Sequence, residues 1–154
     1  MKITDILKKE HVIANLTLND KESVLREFSE FLEKKGVIKN KETLLVALVE
    51  REKLGSTGIG ENVAIPHAKL DTIDTITTLF ARSKNGVEFE SLDKKPVHFI
   101  CLVIAPANST GLHLKVLARI SRLLKNSALR DAILCANDVD QIYSLLTEEE
   151  SKFL

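Results

Sequence analysis

From Val97 to Ala105 the chain reads VHFICLVIA, almost unbroken apolar residues. A strand with one wet face alternates polar and apolar; a run like this one belongs to a strand covered on both faces. It is also far too short for a membrane helix, which needs about 20 apolar residues. The chain must therefore supply helices for two sides of a sheet, and it carries several. Asp20 can cap a helix whose Val24, Leu25, Phe28, Phe31 and Leu32 share one face, with Gly36 as its stop. Asn40 can cap another through Leu44, Leu45, Leu48 and Val49, ending before Gly55. Asn108 or Ser109 opens a longer helix with Leu117, Ile120 and Leu124 on its inner stripe. Ser127 begins a short helix, and Asp138 with Gln141 resembles the capping box of a last one.

Strands fit the intervals: His11–Leu18, Val63–Ile65, Thr75–Arg82, and a return strand at Val87–Phe89 after a turn at Lys84-Asn85-Gly86. Helices and strands are interspersed, so the expected class is α/β, a mixed sheet flanked by helices. The length of 154 residues, with no repeat or linker-like tract, predicts a single domain over residues 1–154. Lys and Arg number 22 and so do Asp and Glu, which argues against a broad footprint for nucleic acid or an acidic membrane. Aromatic residues are 5% with no Trp, too few for a base-stacking platform. The charged N-terminus has no signal-peptide core, so a cytoplasmic protein without direct membrane insertion is expected. Cys101 and Cys135 read as small buried hydrophobes rather than as a disulfide or nucleophile.

One segment stands apart: REKLGSTGIGENVAIPHAKL, Arg51 to Leu70. A helix ends, a loop carrying Gly55, Gly58 and Gly60 follows, then a short apolar strand, then Pro66-His67. Such a loop can turn successive N–H groups toward an anion, with the hydroxyls of Ser56 and Thr57 as further donors. A plain connection would use the same glycines. The spacing is neither G-x-G-x-x-G after a strand nor a P-loop, so nucleotide binding is unsupported. Pro66 delivers His67 rigidly at a strand end, and a neutral imidazole is a competent nucleophile near pH 7. Arg51 brings a guanidinium suited to phosphate oxygens, and Lys69 is a weaker candidate for the same task. His113 falls in the first turn of its helix on the core-facing stripe. There it is either a structural histidine or a second donor at the positive end of the helix. His11 and His98 have no such context and read as structural. A zinc site on His67, His113 and a carboxylate such as Glu50 finds no supporting spacing. Ile59 and Val63 are expected at an apolar rim around His67.

Taken together, Arg51-Glu52-Lys53, Ser56-Thr57-Gly58-Ile59-Gly60 and Ile65-Pro66-His67 resemble the active-site signature of the type 2 enzyme IIA domains. These are the fructose, mannitol and nitrogen-regulatory members of the bacterial phosphoenolpyruvate-dependent phosphotransferase system. Gly86-Val87, Leu92, Pro96-Val97, Ala105-Pro106-Ala107 and His113-Leu114 resemble the family's later segments. The resemblance implies a five-stranded mixed sheet. It also implies that His67 accepts a phosphoryl group from the carrier protein HPr and passes it to an enzyme IIB domain. Arg51 and His113 would hold that group, with Ser56, Thr57 and Gly58 beside it, and neither metal nor organic cofactor is implied. No IIB or IIC region follows Leu154, which raises the alternative expectation of a nitrogen-regulatory member that binds target proteins according to its phosphorylation state.

Overall fold

The computed structural model describes residues 2–152. Two short 3-10 turns lead into strand β1 (Val12–Ile13). Helices α1 (Lys21–Lys34) and α2 (Lys41–Lys53) follow, then β2 (Gly58–Gly60), β3 (Val63–Ala64), β4 (His67–Leu70), β5 (Thr77–Val87) and β6 (Val97–Pro106). Helices α3 (Thr110–Leu124), α4 (Ser127–Cys135) and α5 (Val139–Ser151) complete the order. The expected caps are present: Asp20 accepts from Ser23 N–H, Asn40 from Glu42 and Thr43 N–H, and Asp138 from Gln141 N–H. The helix α4 begins at Ser127 as expected, with Asn126 as its cap, accepting from Leu129 N–H.

The sheet runs β1-β5-β6-β3-β2, with β4 also pairing with β6. β6 is its spine, antiparallel to β5 and parallel to both β3 and β4. Val63 lies opposite Phe99 and His67 opposite Val103, so β3 and β4 keep one register with β6 across the gap between them. They form a single line broken at Ile65-Pro66, where Pro66 has no N–H to give to a ladder. Counted by lines, the sheet is the five-stranded mixed sheet that the resemblance implies.

Both faces of the spine are covered, as its composition requires. Phe99, Cys101, Val103 and Ala105 join one core with residues of α3, α4 and α5. Ile100, Leu102 and Ile104 join the other with residues of α1 and α2. Burial pushes the Cys101 thiol up to about 12.

Three expectations are corrected. The strand expected at His11–Leu18 is reduced to Val12–Ile13; His11 belongs to a 3-10 turn, and the chain beyond Ile13 leaves the regular ladder. Lys84-Asn85-Gly86 makes no hairpin, and Val87–Phe89 is not a separate return strand. β5 continues to Val87 through a register irregularity after Arg82, where Gly86 takes a φ of 91° and gives its N–H to Ser83 Oγ. Turn residues here make a bulge rather than a reversal. Cys135 is exposed, because it is the last residue of α4. Among the described residues no helix is long and apolar enough to cross a membrane.

Candidate active site

Side chains along the β3–β4 line alternate between the two cores. Val63 and Ile65 enter the core under α3–α5, Ala64 and Ala68 the core under α1 and α2. His67 therefore faces the α3 side, at the end of the line just past the proline. His113 meets it there from the first turn of α3, its N–H bonded to Ser109 O. Arg51 comes from the last turn of α2.

The His67 ring is held at both nitrogens. Nδ1 lies 2.9 Å from the carbonyl oxygen of Ile65, which only an N–H can satisfy, so Nδ1 carries the proton and Nε2 keeps its lone pair. Arg51 Nε–H donates to that lone pair at 3.1 Å, and Arg51 Nη1 donates to Gly55 O at 2.9 Å. Burial lowers the pKa of His67; the Ile65 carbonyl opposes that shift and the Arg51 charge adds to it. The ring is neutral at pH 7, as a nucleophile must be. His113 stands edge-on to it and is buried, with Nε2 unpartnered. Burial first, then the neighbouring His67 and Lys69, push the His113 pKa down to about 4.

The three side chains border a depression of ≈ 530 Å³, with Leu54, Leu114 and Lys69 also at its walls. Lys69 Nζ donates to Thr110 Oγ1 at 2.8 Å, at the opening of α3. A smaller hollow of ≈ 290 Å³ reaches His67 and Arg51 from the side of Ile59 and Leu117. Ile59 is 41% exposed and lies on this margin as expected, whereas Val63 is buried and takes no part in a rim. The exposed apolar side chains beside the larger depression are Leu54 at 84% and Leu114 at 62%. Sequence reasoning passed over both, because a single exposed leucine carries no signal until the fold sets it beside a site. Among the described residues no group of three or more His, Cys, Asp or Glu side chains is gathered as metal ligands would be.

The glycine loop departs from the expected cradle. Ser56 Oγ–H donates to Phe89 O at 3.0 Å, and its oxygen accepts from Gly58 N–H at 3.1 Å. Thr57 gives both its N–H and its hydroxyl to Glu52. The hydroxyls of Ser56 and Thr57 and the N–H groups of Thr57 and Gly58 are thus spent inside the protein. The close approach of loop to loop explains Gly58, where a Cβ would sit 2.8 Å from the Ser91 Cα. Glu52 is the neighbour of the site that the sequence did not disclose, since a carboxylate beside Arg51 at a helix end reads as a solvated pair. It is buried instead, 2.9 Å from Lys21 Nζ.

A neutral imidazole with a fixed tautomer, a guanidinium on its lone pair and a second ring beside it meet at an open depression. The chain belongs to the family of the phosphoenolpyruvate-dependent sugar phosphotransferase system, EIIA 2, whose model matches residues 5–149. Among its relatives, the nitrogen regulatory protein of Bradyrhizobium diazoefficiens is 39% identical over 95% of each chain. The fructose-specific EIIABC component of Bacillus subtilis is 36% identical over 97% of this chain, which spans 24% of that longer protein. The crystal structure of the nitrogen regulatory protein IIA-Ntr from Neisseria meningitidis superposes with a TM-score of 0.87 at 30% identity, covering 94% of this chain and 99% of that one.

Proposed function

We propose that His67 Nε2 accepts a phosphoryl group from the phosphohistidine of HPr and hands it to an enzyme IIB component in sugar uptake. The observation that carries this reading is the assignment of the two ring nitrogens: Nδ1–H is tied to Ile65 O, and Nε2 points its lone pair at the guanidinium beside the open depression. In the transfer, the Nε2 lone pair forms a bond to phosphorus as the donor's N–P bond breaks, and that electron pair returns to the donor ring. The positive charge gained by the His67 ring is shared through Nδ1–H with the Ile65 carbonyl. Arg51 moves from the lone pair to the phosphoryl oxygens, and Lys69 adds charge at the wall. His113, neutral at pH 7, is placed to donate one N–H to the same oxygens. Leu54, Leu114 and Ile59 offer the partner an apolar margin. The proposed partners place the protein in the cytoplasm.

Phosphoenolpyruvate, enzyme I and HPr should add one acid-labile phosphoryl group to the protein, and His67→Ala should take none. Labelling that survives this change would remove His67 from the role.

A second output is favoured by the match of a nitrogen regulatory protein along 95% of both chains. In that reading the same phosphorylation sets the affinity for a regulatory target protein instead of feeding a IIB. Discharge of the label by a IIB component supports transport. Retention of a target by only one of the two phosphorylation states supports regulation.

A further inference from the structure

Arg51 and Glu52 are consecutive residues at the end of α2, and each is connected to a different nitrogen of the same ring. Arg51 touches Nε2 directly. Glu52 reaches Nδ1 through the backbone. Its carboxylate accepts the Thr57 N–H at 3.1 Å and the Thr57 hydroxyl. Thr57 O accepts the Ile65 N–H at 3.0 Å, and Ile65 O accepts the His67 Nδ1–H at 2.9 Å. The path is one carboxylate, two backbone carbonyls and one ring. Lys21 closes it from behind, its Nζ 2.9 Å from Glu52 and 4.9 Å from the centre of the Phe89 ring.

Resting on the phosphoryl-carrier reading, we infer that Glu52 is a positioning residue that sets the tautomer of His67 by fixing Thr57, and with it the Ile65 carbonyl. The carboxylate contacts neither the ring nor the cargo. An imidazole whose Nδ1 partner drifts away keeps only the Arg51 Nε–H to oppose a proton on Nε2, and an Nε2–H ring has no lone pair there to attack phosphorus. Thr57 is 4% exposed and its two donors meet one carboxylate, so Glu52 fixes the residue just before β2. Gly55, between the two helix-end residues and the strand, takes a φ of 145° and lets the loop fold back on both of them.

The experiment is long-range ¹H–¹⁵N correlation of the imidazoles in the unphosphorylated protein at pH 8, with labelling rates from phospho-HPr measured alongside. The wild-type protein should show His67 as one tautomer, protonated at Nδ1. Glu52→Gln should show both tautomers and roughly ten- to a hundredfold slower labelling. Glu52→Gln removes the close partner of the Lys21 ammonium and leaves it the longer 3.9 Å contact with Glu90, so Lys21→Met/Glu52→Gln is measured beside it. Thr57→Val, which removes only the hydroxyl, should move the tautomer in the same direction, and Thr57→Ser should restore it. If Thr57→Val and whichever Glu52 variant folds keep a single Nδ1–H ring, Glu52 has no positioning role. If the tautomer shifts while even the wild-type protein takes no label, the positioning stands and the carrier reading fails.

Discussion

The His113 ring stands edge-on to His67, centroids 5.3 Å apart and planes inclined at 76°. Two imidazoles so close cannot both be charged without mutual repulsion, and burial makes charging costlier still. His113 is held near 4, and His67 and His11 are also lowered from their ordinary 6.5.

The pH dependence of stability follows. In the unfolded chain these rings sit near 6.5, so as pH falls the unfolded chain takes up protons first. Their contribution is complete above pH 6.5, declines on acidification, and for His113 is lost by about 4. The urea midpoint should fall across this interval, and His113→Leu should fall less steeply. Parallel curves for the two proteins would show that His113 titrates freely in the folded state.

Arg51→Lys tests the double use of one guanidinium. An ammonium cannot hold Gly55 O and the imidazole lone pair with two fixed donors. The expected loss is about 1.5–3 kcal/mol of stabilisation, or ten- to a hundredfold in the initial rate of labelling by phospho-HPr. A rate within twofold of wild type would contradict the assignment.

Gly58→Ala should destabilise the protein by about 1–3 kcal/mol, since the new methyl meets the main-chain Cα of Ser91, which cannot swing aside. Urea unfolding measures the loss. The displaced loop should also slow labelling, because Thr57 O next door holds Ile65.

Arg82→Met addresses a wholly buried cation. The guanidinium donates to Ala14 O at 2.9 Å and to Ile133 O and Ala136 O at the end of α4, joining β5 to two other elements. Methionine takes the guanidinium donor from the Ala14 and Ala136 carbonyls and leaves Ile133 O with the Ala136 N–H alone, and a drop of about 3 kcal/mol or more in unfolding free energy is expected. A smaller drop would mean that water replaces the guanidinium.

Much of this architecture was legible because it is written in local chemistry. The run from Val97 to Ala105 required cover on two faces, and Asp20, Asn40 and Asp138 marked helix starts by the hydrogen bonds their side chains can make. The Arg51, His67 and His113 trio came from the resemblance together with residue chemistry, and the fold brings the three together. What stayed hidden depends on distant partners. Nothing near Lys84-Asn85-Gly86 tells a bulge from a hairpin, since that choice is made by the β6 register opposite. Ser56 and Thr57 have the composition of an anion-binding loop, yet Phe89 O and Glu52 claim their donors first. Glu52 itself is buried only because Lys21, thirty-one positions earlier, arrives beside it.

Arg51 grips the His67 lone pair before any cargo arrives. In the proposed role an incoming phosphoryl group would replace a contact already made, and the protein would gain only the difference between two grips. A carrier with an idle guanidinium would gain the whole of the new contact and would release its load slowly. With the bond exchanged rather than added, loading and unloading lie closer in free energy. A relay stage needs that balance if the same ring is to be filled by one protein and emptied by the next.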